Sequence, residues 1–233
     1  MLLGIKNGVK NQNDNLLMKK ILKVFVCCQK YIHRVEAIKA RVDKWTLGDY
    51  LIFVGGDEEK MLEDNVMQLQ CRDLYEDLPE KMFAIYKYLS DNNFSEKYNY
   101  FWKIDDDIDW LRWNEGREVD LLKSLDSHDY AGFQIKSKEG KRGWHIGRVR
   151  EDSPWYNKRY DGIYADWAAG GATYFLSAKS IDKFKGFNNL SEVRYQEIYE
   201  DLAVAKFLKS FDILPVEVNP WLDKSVLKFD INK

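Results

Sequence analysis

The sequence predicts a single α/β domain whose mostly parallel central sheet is flanked by helices. Residues 21–56 read as strand, helix and strand, the order that is typical of a parallel α/β unit. A further helical pattern then leads into a long apolar strand at 98–104, which continues the alternation. The chain has 233 residues, 45% of them hydrophobic, enough for one sizeable core.

The first half of the chain divides into regular elements wherever the hydrophobic pattern changes. Apolar runs rich in β-branched residues predict strands at 21–28, 51–56 and 66–70. Apolar residues at helical spacing predict a helix over 34–45. A second helix is predicted over 78–90, because Asp77 stands at its N-cap position and Pro79 in its first turn.

The second half of the chain is less regular. A helix is predicted over 118–125 and a strand over 129–135, and the charged residues that follow predict a hairpin near 136–148. The remaining predicted elements are a strand at 172–177, helices near 178–187 and 196–209, and a strand at 211–218. Pro215 predicts an edge position for that last strand, because proline cannot donate a ladder hydrogen bond.

Composition limits the compartment and the class of partner. Residues 1–20 are polar, and we expect a tail or a short helix there. No stretch reaches the roughly 20 apolar residues that span a bilayer, and the start lacks the apolar core of a signal peptide, so we expect no transmembrane segment and a cytoplasmic location. The three cysteines lack CxxC spacing and read as buried thiols. The net charge of −2 excludes nucleic acid as a polymer partner.

Three adjacent acids, Asp105, Asp106 and Asp107, follow the apolar strand at 98–104. About a tenth of the chain is Asp, so two Asp separated by one residue are expected about twice by chance. Their position is stronger evidence for a binding site than their spacing, because ligands of open α/β sheets bind at the carboxyl ends of strands. The mutual repulsion of the carboxylates favours a hard cation such as Mn²⁺ or Mg²⁺.

Other interpretations of the acidic cluster fit the sequence less well. A calcium loop that begins at Asp105 would need Gly at its sixth position and Glu at its twelfth, where the chain has Trp110 and Gly116. A two-metal nuclease would bring a basic surface. A phosphatase with an Asp nucleophile normally begins with its nucleophilic strand. The interpretation that remains is a cation that holds a nucleoside diphosphate, as in sugar transfer.

Five segments follow one another in the order of a known pattern. They are HRVEAIKARVDKW (33–45), DLYEDLPEKM (73–82), FWKIDDDIDW (101–110), WAAGGATYFLS (167–177) and YEDLAVAKFL (199–208). Together they resemble the fringe-like and β-1,3-galactosyltransferase-like family of glycosyltransferases. The resemblance implies a Rossmann-like GT-A fold over 21–233, with a nucleotide-sugar half at about 21–110 and an acceptor half at about 111–233. It also implies a UDP-sugar donor, a carbohydrate acceptor and inversion at the transferred carbon.

The resemblance also implies roles for individual residues. Asp107, with Asp105 or Asp106, would hold Mn²⁺ or Mg²⁺ against the diphosphate. Asp201 would be the catalytic base, with Glu200 as the alternative. The residues implied on the nucleotide and sugar sides are Arg34, Asp73, Lys81, Trp167, Gly170 and Gly171, with Asp105 and Asp106 at the diphosphate.

The chain departs from the family pattern in two ways. Many enzymes of this fold add a C-terminal His as a third metal ligand, and no His follows His145, so water or Asp223 would complete the shell, or metal binding would be weak. Golgi members carry a membrane anchor and paired cysteines. Their absence here implies an enzyme of a bacterial or viral-host cytosol that acts on a lipid-linked, nucleotide-linked or protein-linked glycan.

The expected function is metal-dependent transfer of a hexose or N-acetylhexosamine from a UDP-sugar to a glycan hydroxyl. Retention instead of inversion stays open, as does a non-catalytic domain that binds nucleotide sugars or glycans. Asp201 also fits a helix N-terminal acid, and Lys81 a solvated helix lysine. The three histidines show no catalytic spacing and read as surface or satisfied core residues.

Overall fold

The computed structural model describes residues 20–45, 48–109, 115–137, 143–171, 173–218 and 228–229, so nearly all of the predicted tail at 1–20 lies outside the described residues. The described residues form a mixed sheet of eight strands and two small two-stranded sheets, with helices around them. The α/β class is therefore confirmed. None of the described helices combines the length and the apolar character that crossing a membrane needs.

The elements are numbered in chain order. The strands are β1 Ile21–Val26, β2 Tyr50–Gly56, β3 Lys60–Glu63, β4 Val66–Gln70, β5 Tyr100–Asp105, β6 Ile108–Asp109, β7 Tyr130–Gly132, β8 Gln134–Ile135, β9 Trp167–Ala168, β10 Tyr174–Ser177, β11 Val216–Glu217 and β12 Lys228–Phe229. The α-helices are α1 Val35–Trp45, α2 Leu78–Asp91, α3 Phe94–Lys97, α4 Glu115–Leu125, α5 Ala178–Ile181, α6 Leu190–Gln196 and α7 Glu200–Lys209. Three 3₁₀ turns cover Gln29–Arg34, Tyr75–Asp77 and Asp182–Phe184.

The order of the strands places a ligand-binding position at β1. The large sheet runs β11-β7-β10-β5-β1-β2-β4-β3, and β5, β1, β2 and β4 are mutually parallel. The chain leaves β1 for β2 on one side and later returns to pair β5 with β1 on the other. The carboxyl ends of β1 and β5 therefore border a topological switch point, where open α/β sheets bind ligands.

Burial on both faces explains why β1 is apolar at every position except Lys23. Leu22 and Val24 pack in one core cluster, which also contains residues of α2 and α7. Ile21 and Phe25 pack in the other, together with residues of α1 and α4. Successive side chains of a strand point to opposite faces, so a strand that is covered on both sides is mostly apolar. The buried ammonium of Lys23 is the exception, and it is paired with Glu118 at 2.8 Å.

The elements predicted for the first half agree closely with the structure, whereas β3 was not predicted. The single strand predicted over 129–135 is divided between β7 and β8, which belong to different sheets. The hairpin predicted near 136–148 is wrong for the described residues, because 144–148 form turns and β8 pairs with β9. Residues 138–142 lie outside the described ranges. Pro215 directly precedes β11, whose edge position is confirmed.

Two helix predictions in the second half were too long. The helix near 178–187 is α5 followed by a 3₁₀ turn. The helix predicted over 196–209 begins only at Glu200, and the preceding residues separate it from α6. The carboxylate of Glu197 accounts for the break, because its Oε1 accepts the backbone N–H groups of Ile198 (2.9 Å) and Tyr199 (3.2 Å). A side chain that binds nearby backbone donors competes with the helical hydrogen bonds.

Phe175 on β10 tests how firmly the antiparallel strand is joined to the parallel part of the sheet. Its ring is 1% exposed and stacks on Trp102 of β5 at a centroid distance of 5.2 Å. Phe175→Ala should lower the free energy of unfolding by about 3–5 kcal/mol, because it removes buried area and leaves a cavity. Urea denaturation measures the loss. Ile163→Ala is the control, since Ile163 is 85% exposed, and a comparable loss in both variants would contradict the prediction.

Candidate functional site

A cleft of about 700 Å³ lies at the switch point of the sheet. Cys27 follows β1 directly, while Asp105 ends β5 and is followed by Asp106 and Asp107. All four residues line the cleft. The structure therefore brings the predicted acidic cluster to the carboxyl end of a central strand, as expected from the sequence.

A second cavity of about 260 Å³ adjoins this cleft. Its lining includes Gly171, Glu200 and Asp201, which the sequence implied for the sugar pocket and for the base. The two cavities share Tyr75, Leu78, Asp105 and Arg148. One connected concave surface thus joins the acidic cluster to the first turn of α7.

The three acids of the cluster have different partners. Asp105 Oδ1 accepts a hydrogen bond from Lys103 Nζ at 2.5 Å, and Asp106 Oδ1 forms an ion pair with Arg34 Nη1 at 3.0 Å. Within the described part of the chain, Asp107 forms no ion pair. Burial raises the pKa of Asp107, and the neighbouring charges of Asp105 and Asp106 raise it further. Asp107 is therefore the carboxylate of the cluster that would gain most from a bound cation.

The thiol of Cys27 supports the same cluster. Burial raises the pKa of Cys27 to about 12, and the charge of Asp106 contributes to the shift. The thiol is therefore protonated, and it donates to Asp106 Oδ2 at 3.4 Å. Among the described residues, no group of three or more His, Cys, Asp or Glu side chains is arranged to hold a metal ion. Two of the three cluster carboxylates are held by Lys103 and Arg34.

Lys103 lies at the centre of the site, and sequence reasoning gave it no role. It is 2% exposed, and its ammonium donates to Asp105 Oδ1 at 2.5 Å, to the carbonyl of Gly170 at 2.8 Å and to Glu200 Oε1 at 3.1 Å. Burial alone would lower the pKa of Lys103, but the carboxylates of Asp105 and Glu200 outweigh it and raise the pKa above its usual value. The signal for this role is a charged residue inside an otherwise apolar strand.

Glu200 and Asp201 begin α7 and are both nearly buried. Burial raises the pKa of Glu200, with Lys103 lowering it in part and Asp201 raising it. Asp201 Oδ2 accepts the backbone N–H of Gly170 at 3.2 Å, and its Oδ1 accepts that of Leu202 at 2.8 Å. Asp201 therefore also occupies the helix N-terminal position that its alternative interpretation required, where an acid complements the helix dipole.

Gly170 and Gly171 differ in the space that surrounds them. A Cβ on Gly170 would lie 1.8 Å from Glu200 Oε1, so only glycine allows this approach. A Cβ on Gly171 would meet no atom within 4 Å, although Gly171 lines the second cavity. Trp167 is 4% exposed and packs against Tyr164 at a centroid distance of 5.9 Å. Trp167 therefore packs in the core, just before the turn formed by Gly170 and Gly171.

Asp73 and Lys81, both implied for the nucleotide side, bind each other in the wall of the cleft. Lys81 also donates to the carbonyl of Cys27, and Asp73 Oδ2 accepts the backbone N–H of Gln29 at 2.6 Å. Together they fasten the segment after β1 to α2. Lys81 is 2% exposed, so its interpretation as a solvated helix lysine is wrong.

The turn at 144–148 adds residues that sequence reasoning missed. His145 is fully buried, with Nδ1 2.7 Å from the hydroxyl of Tyr199 and Nε2 2.7 Å from the carbonyl of Lys158. Its interpretation as a satisfied core histidine is confirmed. Trp144 and Arg148 of the same turn line the second cavity. Asp223, the alternative third metal ligand, lies outside the described residues.

Lys103→Met tests whether the buried ammonium holds the site together. The change leaves the carboxylate of Glu200 buried without its cation, and it should cost about 3–5 kcal/mol of unfolding free energy at neutral pH. Lys136→Met removes an exposed ion pair with Asp166 instead and should cost at most about 1 kcal/mol. Chemical denaturation of both variants measures the difference.

The Lys103→Met defect should also depend on pH. Because burial already raises the pKa of Glu200, folding favours its protonated form, and that contribution is lost as pH rises through the raised pKa. Removing Lys103 raises the pKa of Glu200 further, so Glu200 becomes more readily protonated in the folded variant. The loss of unfolding free energy should therefore be smaller at about pH 5, where Glu200 is mostly protonated, than at about pH 8, where it is not. A defect that is equal at both pH values would show that Glu200 is not the group responsible.

A matched pair of glycine variants tests the approach of Glu200 to the turn. Gly170→Ala should lower the unfolding free energy by about 1–3 kcal/mol, because Glu200 must move away from the new methyl group. Gly171→Ala should stay within about 0.5 kcal/mol of the unaltered chain, since its methyl group would enter open space. Thermal and urea unfolding measure both. Equal effects would contradict the packing described at Gly170.

The comparisons with known proteins do not place this site in a family. No protein-family model matches the chain, and a search of curated proteins found no match either. The resemblance to fringe-like transferases therefore rests on the five sequence segments and stays a prediction. The chemistry available to the site is that of the residues lining the two cavities.

Proposed function

We propose that the chain is a metal-dependent glycosyltransferase of GT-A type. It transfers a hexose or N-acetylhexosamine from a UDP-sugar to a glycan hydroxyl with inversion. One observation carries the proposal. Asp107 has no ion pair among the described residues and faces a cleft that connects, through Asp105, to a second cavity holding Glu200 and Asp201. A cation site next to a separately placed base is the arrangement that this transfer needs.

The cluster offers carboxylate oxygens, the ligand type that a hard divalent cation takes. Mn²⁺ and Mg²⁺ take oxygen ligands, and the carboxylate of Asp107 is half-buried with a raised pKa, so it is a group that a cation would stabilise. Asp107 would hold the metal with Asp105 or Asp106. When bound, the cation would offset the negative charge that develops on the leaving diphosphate.

The nucleotide side of the donor is assigned to the segment that follows β1. Arg34 holds Asp106 at 3.0 Å, while Lys81 and Asp73 fix the first residues after the strand. We assign these three residues the task of shaping the nucleotide pocket. Lys81 and Asp73 act through the backbone that they hold, because Lys81 donates to the carbonyl of Cys27 and Asp73 accepts the N–H of Gln29.

The base is assigned to Asp201, and Glu200 is the alternative. The N–H of Gly170 donates to Asp201 and fixes the carboxylate in the wall of the second cavity. A carboxylate held in this way can accept the proton of an acceptor hydroxyl. The buried ammonium of Lys103 donates to Glu200 Oε1, so this oxygen points to Lys103. In this assignment Asp201 moves the proton and Glu200 positions the glycine turn.

The acceptor and the compartment belong to the same proposal. The acceptor would enter the second cavity, and it would be a carbohydrate carried on a lipid, a nucleotide or a protein. Cys27, Cys28 and Cys71 are all free thiols, as in proteins of reducing compartments, which supports a cytoplasmic location in a bacterium or a virus-infected host.

A panel of UDP-sugars tests the activity directly. We expect UDP release from at least one donor in the presence of Mn²⁺, and loss of that release on addition of EDTA, because a bound cation would offset the charge of the leaving group. The configuration of the product linkage then distinguishes inversion from retention. UDP binding without consumption of any donor under these conditions would favour a non-catalytic binding domain.

Variants of the acids separate their roles. Asp201→Asn should lower kcat by at least about 100-fold, the usual contribution of a general base, while UDP binding persists. Asp107→Ala should weaken Mn²⁺-dependent UDP binding. Asp120→Asn is the control, because Asp120 is exposed on α4 and should change neither quantity. Full turnover in Asp201→Asn, with loss in Glu200→Gln, would move the base to Glu200.

A further inference from the structure

The turn at 144–148 lies over both cavities and is firmly anchored. His145 binds the hydroxyl of Tyr199, the residue immediately before the first turn of α7, and the carbonyl of Lys158. Gly147 has a φ of +78°, the left-handed conformation that favours glycine. The backbone of Arg148 donates to the carbonyl of His145 at 2.9 Å. The backbone that carries Arg148 is therefore fixed relative to the helix that carries Asp201.

Arg148 differs from the other cations of the large cleft. Arg34 is paired with Asp106, Lys81 with Asp73, and Arg150 with Glu76 at 2.9 Å and Asp152 at 3.4 Å. Within the described ranges, Arg148 and Lys30 form no ion pair. Lys30 lines only the large cleft, whereas Arg148 lines both cavities.

The guanidinium of Arg148 is placed over the aromatic ring of Tyr75, 5.6 Å from its centroid. Tyr75 also lines both cavities, so the contact holds the guanidinium near the place where the cavities meet. A guanidinium without a carboxylate partner keeps its planar set of N–H donors for a ligand. That geometry suits two oxygens of a phosphate group.

We propose that Arg148 binds the diphosphate of the nucleotide sugar and stabilises it as the leaving group. The inference rests on the proposed transferase function and adds a residue to it. In the transfer, the bond between the sugar carbon and the β-phosphate oxygen breaks, and its electron pair stays on that oxygen. The acceptor oxygen forms the new bond to the sugar carbon, and its proton goes to Asp201. Arg148 donates to the phosphate oxygens on which the charge increases.

Binding of UDP and of uridine, each measured by calorimetry with Mn²⁺ present, tests the inference. Arg148→Ala should weaken UDP binding by roughly 10- to 100-fold, the loss expected for hydrogen bonds to a charged group. Uridine binding should not change, because uridine has no phosphate. Arg148→Lys should restore part of the UDP affinity, since it keeps the charge but loses the paired donors.

Arg150→Ala is the matched control. Arg150 lines the same cleft and carries the same charge, but it is already paired with two acids, so its removal should alter UDP affinity far less than the removal of Arg148. Unchanged UDP affinity in Arg148→Ala would overturn the inference. Equal weakening of UDP and uridine binding would overturn it as well, because that result indicates a structural role.

Steady-state kinetics on an active donor extend the test. Arg148→Ala should lower kcat by roughly 10-fold or more, since the leaving group loses its donor in the transition state. An increase in the acceptor KM with unchanged UDP affinity would place Arg148 on the acceptor side and overturn the assignment. If the unaltered chain consumes no donor, the transferase proposal fails, while the comparison of UDP with uridine still tests Arg148 as a diphosphate ligand.

Discussion

The buried ammonium of Lys103 is the interaction on which the arrangement of the site depends. It joins three parts of the chain that are far apart in sequence, namely the end of β5 at Asp105, the turn at Gly170 and the first turn of α7 at Glu200. Each of its three protons has an acceptor, which is the condition under which a buried charge is tolerated. The same contacts bring the wall of the large cleft and the wall of the second cavity to a common point.

The acidic cluster is stable in this setting because its charge is distributed among different partners. Lys103 comes from the strand that carries the cluster, whereas Arg34 comes from the 3₁₀ turn after β1. Two of the three carboxylates thereby tie neighbouring elements together, and the third carries the charge that the described residues leave without an ion pair. A cluster that appeared in the sequence as three equivalent acids is thus divided into two acids that are ion-paired and one that, among the described residues, is not.

The sequence predicted most of what depends on local pattern. The strands around β1, the helix α2 and the position of the three Asp follow from apolar runs, a Pro in the first helical turn and the rule for strand ends. What it could not predict depends on contacts between distant residues. Lys103 acquires its role only because Gly170 and Glu200 come to it, and the start of α7 is set by the carboxylate of Glu197 rather than by any change in hydrophobic spacing. The turn that carries Arg148 exposes Trp144 and Ile146 and buries His145, the opposite of what hydrophobicity would predict.

The buried histidine of that turn has a chemical consequence. Nε2 of His145 faces a backbone carbonyl, which only accepts hydrogen bonds, so this nitrogen carries the proton. Nδ1 lies 2.7 Å from the hydroxyl of Tyr199, which can either donate to it or accept from it, so the contact joins the turn to the start of α7 in either case. Both nitrogens are occupied, so the imidazole can neither shuttle protons nor ligate a cation without first releasing the turn. His145 therefore holds the turn that carries Trp144 and Arg148, and it does not itself line the second cavity.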